Sequence, residues 1–373
     1  MKDKISKLHD YVLAKRFRIY LFLVIIISSI YRISGYKTYI SQDGTIRFAG
    51  IDSVYHFRAV MYTIHNWPNT IGFDPGTGYP VGETRGQFGT IFDQFMALMS
   101  FVVSGGDMPS TVTVKLVMLF TPPILFIIVI ISVYLISSKI MDKYAGIISA
   151  TFISFISTPI FSISSLGRPD HHIAELLAMS FIVLSFIYAF SLIEKLDKIR
   201  DLHNFKFIIG YSMLCTLAIL FYLSIWPPGV FIVGLTALFY YIYSIVQTEK
   251  LKKELILLFG VSQLSILLLV SLLLFDFSLK TNFSSVSNIG LSNINIIHLL
   301  IIVVSMSVMI LLTILYMVLE RFDLEKYYAP ISLSVLSVST VIFYFQMNNI
   351  FNYIIAKALE YVGLGMTEHA KIW

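Results

Sequence analysis

Long apolar segments separated by short polar ones run along the whole chain. Nine of them hold about twenty mostly apolar residues each, the length that a helix needs to cross a bilayer. Their predicted positions are 17–34, 111–138, 144–163, 173–193, 205–224, 229–247, 254–275, 293–319 and 329–346. The pattern predicts an all-α polytopic membrane protein with about nine transmembrane helices.

The longest interruption of this pattern lies between the first two predicted spans, at residues 35–110. Within it, the sequence GIDSVYHFRAVMYTIHNW places Val54, Phe57, Val60 and Met61 on one face of a predicted helix. A helix with one apolar face can lie along a membrane surface. We therefore expect a long first loop outside the membrane that contains amphipathic helices.

Composition agrees with the membrane assignment. The chain has 373 residues, of which 57% are hydrophobic and 13% are charged, whereas about 25% of a soluble domain is charged. The net charge is +5, but the basic residues lie between the apolar segments, where they orient a membrane protein, so we expect no nucleic acid partner. Because Cys215 is the only cysteine, an intrachain disulfide is excluded.

The basic residues also predict the orientation. If the spans alternate, most Lys and Arg residues fall on the side of the N-terminus, which is then cytoplasmic. The predicted organisation is a cytoplasmic tail (1–16), a first span (17–34), a first outer loop (35–110), eight further spans (111–346) and an outer segment (347–373). We expect a multi-pass protein of the cell membrane.

Three acidic stretches fall on the outer side in this topology: AGIDSVYHFR around Asp52, RPDHH around Asp170 and GMTEHAKIW around Glu368. Ionisable groups at a membrane boundary are costly unless they are paired or functional. Asp170 and His172 can point the same way in a turn while His171 points elsewhere, and carboxylates with an imidazole suit Mn²⁺ or Mg²⁺. Taken singly, Asp52 and Asp170 are also explained as helix caps, and Glu368 as a solvated charge.

The order of these motifs resembles the catalytic subunit of oligosaccharyltransferase, especially the archaeal single-subunit type, a GT-C glycosyltransferase. Gly50-Ile51-Asp52 matches the first acidic motif of that family, and Asp170-His171-His172 matches the second. The sequence SIWPPG stands at the place of a family Trp-Gly turn, and MTEHAKIW resembles the family's glutamate motif. The likeness covers essentially the whole chain.

Two departures from the family pattern are visible. Gly365 stands three residues before Glu368, where the family has Thr or Ser. The sequence stops at Trp373, before the further spans and the soluble domain with a Trp-Trp-Asp-Tyr-Gly motif that the family adds. A fragment, half of a split protein and a truncated relative are three open explanations.

The resemblance implies a metal-dependent, inverting transfer of an oligosaccharide from a lipid (dolichyl) phosphate or diphosphate to Asn of Asn-x-Ser/Thr. It implies that Asp52 and Glu368 contact the acceptor amide. It also implies that Asp52, Asp170 and His172 hold Mn²⁺ or Mg²⁺ on the extracytoplasmic face. Further candidates for substrate contacts are Arg58, Arg85, Arg168 and Trp226. The implied partners are a lipid-linked oligosaccharide, an acceptor polypeptide, the membrane and a separate chain with the C-terminal domain.

Three other functions remain open from the sequence. They are another lipid-sugar-dependent GT-C enzyme of the O-mannosyltransferase kind, a non-catalytic membrane scaffold, and a transporter. A transporter predicts ionisable residues in the middle of its spans, whereas the two candidates, Asp276 and Glu320, lie at predicted span ends.

Overall fold

The computed structural model describes residues 2–84, 91–156, 159–196, 202–274 and 296–346. The α-helices in these ranges are α1 (Lys2–Ile33), α2 (Tyr36–Tyr39), α3 (Ile51–His65), α4 (Ile91–Val103), α5 (Thr111–Ile140), α6 (Lys143–Phe155), α7 (Pro159–Ser164), α8 (His172–Ile193), α9 (Leu202–Ile225), α10 (Phe231–Val246), α11 (Lys250–Leu274), α12 (Ile296–Arg321) and α13 (Tyr328–Gln346). Short 3-10 helices cover Pro227–Val230 and Glu325–Tyr327. Two short strands, β1 (Phe73–Asp74) and β2 (Glu83–Thr84), pair antiparallel.

Most of the predicted spans are confirmed. Eight helical segments within the described ranges are long and apolar enough to cross a membrane, and they coincide with eight of the nine predictions. The third prediction, 144–163, was wrong as a continuous helix, because α6 ends at Phe155 and α7 begins at Pro159. A proline has no N–H for the helical ladder and disfavours helical backbone in the preceding residue, so it separates helices.

The first loop contains the predicted helix, α3. Of the apolar side chains that the sequence places on one face, Val60 is buried in the protein, whereas Val54 is 54% exposed, so protein covers only part of that face. The buried residues are Ser53, His56, Ala59, Val60, Thr63 and Ile64, spaced along one side of the helix. This face packs on α4 and α5 and carries an imidazole into the protein interior.

Helix α5 lies at the centre of the first half of the bundle, where it packs against α1, α3, α4, α6, α7 and α8. In the second half, α11 packs against α9, α10 and α12. The outward sides of the long helices expose large apolar side chains, for example Phe22, Ile148 and Leu311. Such surfaces are stable in contact with lipid hydrocarbon.

A buried arginine connects the end of α6 with α7. The Arg32 guanidinium is 2% exposed, and it donates hydrogen bonds to Ser28 Oγ at 2.7 Å, Ser164 Oγ at 2.8 Å and the Ser154 carbonyl oxygen at 2.9 Å. It also lies over the Phe126 ring, 3.7 Å from its centroid. Arg32 therefore connects α1 to α5, α6 and α7, next to the segment that leads to α8.

Candidate functional site

Two segments that are far apart in the sequence meet just before the two acidic motifs. The backbone N–H of Ala49 donates to the carbonyl oxygen of Gly167 at 2.8 Å. Gly167 has a φ of +83°, which favours glycine, and a Cβ there would lie 2.4 Å from the Tyr39 ring. The junction brings the start of α3, with Asp52, beside the segment that carries Asp170.

Asp170 is buried in the turn that precedes α8. Its side chain is 1% exposed, and its Oδ1 atom lies 3.0 Å from His171 Nδ1. The same oxygen accepts a long hydrogen bond, 3.4 Å, from the backbone N–H of His172. His171 is the N-cap residue of α8, so the capping role expected for Asp170 is reduced to this one weak contact. The Nε atom of Arg168 lies 4.0 Å from Asp170 Oδ2.

The electrostatic surroundings keep Asp170 ionised. Burial by itself raises the pKa of this carboxyl group. The hydrogen bond from His171 and the electrostatic influence of the nearby imidazoles of His172, His171 and His56 outweigh burial and lower the pKa to about 2. Asp170 is therefore a carboxylate at neutral pH, the form in which aspartate coordinates a cation.

The first turn of α8 adds a second carboxylate beside the two adjacent histidines. The Oε1 atom of Glu175 lies 3.2 Å from His171 Nε2 and 3.3 Å from His172 Nδ1. This oxygen is buried and meets the geometry of a hydrogen bond with neither ring. His172 is half exposed, whereas His171 is turned inward beside Asp170, unlike the orientation expected from the sequence.

Asp52 lies in the first turn of α3 and is exposed. The N-cap residue of α3 is Gly50, so Asp52 is not the cap that the sequence allowed. The carboxylates of Asp52 and Asp170 both act electrostatically on His172. The three residues expected to bind a metal thus lie at the same end of the bundle.

Two residues at this site were missed by the sequence reasoning. His56 and Asp93 are fully buried, on α3 and α4, and His56 Nδ1 lies 2.7 Å from Asp93 Oδ1. On the other side of the ring, His56 Nε2 lies 3.1 Å from His171 Nδ1. A signal was present for each: Asp93 is an acid within the apolar sequence IFDQFMAL, and His56 follows Asp52 by one helical turn.

The other candidates for substrate contacts are placed as follows. Arg58 forms an ion pair with Asp74 and a 3.2 Å hydrogen bond with Thr77, so it orders the first loop. Arg168 donates to Ser162 Oγ and stays near Asp170. Trp226 is half buried and packs against Tyr222 and Phe231 at the turn before α10. Arg85 and Glu368 lie outside the described residues.

The donor atoms at this end of the bundle suit a divalent cation. Within the described ranges, two groups of three donors have their ligand atoms within 4.8 Å of one another: His56 with Asp170 and His171, and His171 with His172 and Glu175. Asp52 belongs to neither group. Imidazole and carboxylate donors fit several divalent metals, including Mn²⁺. No described residue gives the buried Glu175 Oε1 atom a well-formed hydrogen bond, and a cation would satisfy such an atom.

An apolar cavity of about 580 Å³ lies beside the buried histidines. Its walls come from α4, α5, α8 and α9, and from Trp67 after α3. Phe92 lines the cavity and also packs edge-on against the His56 ring, 5.2 Å between centroids. The cavity suits hydrocarbon rather than polar groups.

Comparison with known protein families shows the family to which the chain belongs. The family described as "Oligosaccharyl transferase STT3, N-terminal" matches residues 20–365. The chain belongs to this STT3 family. The match begins within the first span, includes all the later described spans and both described acidic motifs, and confirms the resemblance that the motifs indicated.

Relatives of known name agree with STT3 membership. A protein of Haloferax volcanii, the dolichyl-monophosphooligosaccharide–protein glycotransferase AglB, is 35% identical over 214 residues. The matched region is 56% of this chain and 20% of that relative. The chain therefore spans about a fifth of the length of the curated relative that it matches.

Solved structures confirm the STT3 fold. The archaeal oligosaccharyltransferase AglB of Archaeoglobus fulgidus, in complex with an inhibitory peptide and a dolichol-phosphate, has a TM-score of 0.75 and 21% identity. The alignment covers 92% of this chain and 38% of that one. A second structure of the A. fulgidus oligosaccharyltransferase, a complex with Zn and sulfate, has a TM-score of 0.70 at 22% identity, and covers 88% of this chain and 40% of that one.

Proposed function

We propose that this chain carries the catalytic centre for transfer of an oligosaccharide from a dolichyl phosphate or diphosphate to Asn of Asn-x-Ser/Thr acceptors. The observation that supports this most directly is the junction between Ala49 and Gly167, which brings the segments of Asp52 and Asp170 together in a chain of the STT3 family. The AglB relative of H. volcanii is named as a transferase of this kind.

In this proposal, the acceptor asparagine is held by acidic side chains. An amide nitrogen is a weak nucleophile because its lone pair is delocalised into the carbonyl group. Asp52, exposed in the first turn of α3, accepts a hydrogen bond from the acceptor N–H group and weakens that delocalisation. Glu368 accepts a second one. The amide nitrogen then displaces the lipid phosphate from the sugar carbon with inversion, the phosphate leaves with the lipid, and the proton lost from the nitrogen passes to one of these two carboxylates.

The second part of the proposal concerns the donor phosphate. Asp52, Asp170 and His172 are the residues that would hold Mn²⁺ or Mg²⁺, and such a cation supplies positive charge for the leaving phosphate. Asp170 is suited to this role because it is ionised at neutral pH. Arg168, with its Nε atom 4.0 Å from Asp170, adds positive charge at the same place. Arg58, Arg85 and Trp226 stay as candidates for contacts with the substrates.

We further propose that this site faces the extracytoplasmic side and that the N-terminus is cytoplasmic. The distribution of basic residues supports this orientation, because they concentrate on the opposite side from the acidic motifs. Donor and acceptor would then meet where the first turn of α3 and the start of α8 approach each other.

The test is an in vitro transfer assay in membranes of cells that express this chain. The substrates are a dolichyl-phosphate-linked oligosaccharide and a peptide with Asn-x-Thr. We expect Asp52→Ala to reduce transfer by at least about 100-fold, the order of effect expected when a group that contacts the reacting atoms is removed. Chelation by EDTA should abolish transfer, and added Mn²⁺ or Mg²⁺ should restore it.

A matched control is His298→Gln, because His298 is buried like the site histidines but hydrogen-bonds the Pro227 carbonyl oxygen elsewhere in the bundle. This variant should keep wild-type transfer. Near-normal transfer by Asp52→Ala, or full activity after removal of divalent metal, would contradict the proposal. Equal amounts of membrane-inserted protein must be shown for every variant.

A further inference from the structure

The buried histidine on α3 belongs to a continuous row of polar groups that crosses from α4 to α8. The row begins at Asp93, whose Oδ1 lies 2.7 Å from His56 Nδ1. It continues from His56 Nε2 to His171 Nδ1 over 3.1 Å, and from His171 Nδ1 to Asp170 Oδ1 over 3.0 Å. All four side chains are less than a tenth exposed.

The chemistry of these groups sets the position of each proton. An ionised carboxylate only accepts hydrogen bonds, so the pairing with Asp93 keeps the proton of a neutral His56 on Nδ1. His56 Nε2 then presents a lone pair to His171. The Nδ1 atom of His171 must in turn carry a proton, and this N–H group faces both His56 and Asp170. Asp93 thereby determines the tautomer of two successive rings.

The last member of the row is a carboxylate whose two oxygen atoms have different surroundings. Oδ1 is held by His171 and by the backbone N–H of His172, whereas Oδ2 has Arg168 Nε at 4.0 Å, beyond hydrogen-bond distance. Fixing Oδ1 sets the direction of Oδ2. In metalloproteins, residues that hydrogen-bond to a ligand in this way orient it, and their loss weakens metal affinity about 10–100-fold.

We infer that Asp93 and His56 are positioning residues that hold His171 and, through it, orient the Asp170 carboxylate for a divalent cation. The inference rests on the proposed function, because it assumes that Asp170 binds the metal. It adds two residues of α3 and α4 that neither acidic motif contains. It also gives His171 a role, namely to transmit the orientation of His56 to Asp170.

The experiment measures Mn²⁺ binding to the purified chain in detergent, by electron paramagnetic resonance of free Mn²⁺, together with the midpoint of thermal unfolding. Asp93→Asn keeps the size of the side chain but its amide can donate to His56, which reverses the tautomer. We expect Asp93→Asn and His56→Gln each to weaken Mn²⁺ binding about 10–100-fold. The double variant should be no weaker than His56→Gln alone, because both residues act through one row.

The control His298→Gln removes an equally buried histidine and should leave Mn²⁺ affinity unchanged. The inference is overturned if the site variants lower the unfolding midpoint but keep wild-type affinity, which is the result of a purely structural role. It is also overturned if His56→Gln loses binding while Asp93→Asn retains it, because the row requires Asp93. A wild-type chain that binds no Mn²⁺ contradicts the proposed metal site itself, and the inference with it.

Discussion

Both ends of α8 place polar groups in the protein interior, but these groups have different partners at the two ends. At its C-terminal end, the buried Lys252 donates hydrogen bonds to the carbonyl oxygens of Ile193, Glu194 and Leu196, at 3.2, 2.7 and 2.8 Å. At its N-terminal end, Asp170 and Glu175 lie among imidazole rings, and one oxygen of Glu175 is buried without a hydrogen bond from the part of the chain that the structure describes.

This difference distinguishes a structural cap at the C-terminal end of α8 from a candidate binding site at its N-terminal end. An ammonium group that satisfies three carbonyl oxygens at a helix C-terminus stabilises the fold and has no remaining donor capacity. A cluster of carboxylates and imidazoles with an unsatisfied oxygen carries a cost, and such costs concentrate at functional positions. The same helix is therefore anchored at one end and, in the proposed function, contributes to cation binding at the other.

The largest expected effect comes from breaking the anchored end. Lys252→Met should lower the free energy of unfolding by about 3 kcal/mol, because it deprives the carbonyl oxygens of Glu194 and Leu196 of this donor, at about 1–3 kcal/mol for each group. Thermal unfolding in detergent measures this change. Mn²⁺ affinity should stay at the wild-type value, because the cap lies at the opposite end of α8 from Asp170.

The control for this prediction is Lys250→Met on the same helix. Lys250 forms an ion pair with Glu320, 2.6 Å apart, but its side chain is 58% exposed. Exposed ion pairs contribute little to stability, so the unfolding midpoint should hardly change. If both lysine variants behaved alike, the special role of the buried cap would be disproved.

A second prediction concerns the pH dependence of stability at the N-terminal end of α8, where Asp170 lies. In the absence of metal, the pKa of Asp170 is about 2 in the folded protein, below its ordinary value of 3.8. Its contribution to stability is therefore complete above about pH 5 and is lost as the pH falls toward 2. A shift of this size corresponds to about 2 kcal/mol.

The measurement compares wild type and Asp170→Asn by thermal unfolding in EDTA between pH 6 and pH 3. The wild type should lose more stability on acidification than the variant, which lacks this titrating group. Parallel curves for the two proteins would mean that the interactions of Asp170 with His171 and the neighbouring rings do not favour its ionised form.

The fold followed from the sequence because lipid imposes a strict rule. Backbone groups in hydrocarbon must be hydrogen-bonded within a helix, so long apolar segments predict helices. The break in the third predicted span was not predicted, because the sequence stays apolar through Pro159. The structure nevertheless ends α6 at Phe155 and begins α7 at Pro159. The buried His56 on α3 was not expected either, because the sequence pattern drew attention to the apolar face of that helix.

The site was predictable only in part. The motifs pointed to Asp52, Asp170 and His172, and the structure brings these together at one end of the bundle. His56 and Asp93 were missed because their significance depends on a contact between α3 and α4 that no local pattern encodes. An acid in an apolar helix is a signal of partnership, but the identity of the partner comes from three-dimensional packing.

The smallest effect is expected at the junction that joins the two acidic segments. Gly167 has a φ of +83°, a conformation that costs about 1–2 kcal/mol for other residues. Gly167→Ala should lower the free energy of unfolding by about this amount, and its Cβ should displace the Tyr39 ring. Because the Gly167 carbonyl oxygen accepts a hydrogen bond from the Ala49 N–H, we also expect weaker Mn²⁺ binding.

The control is Gly105→Ala, because Gly105 has a φ of +69° and open space around it, so this variant shows the effect of backbone strain alone. Equal Mn²⁺ affinity in both variants would show that the junction stabilises the fold without aligning the two ligand-bearing segments.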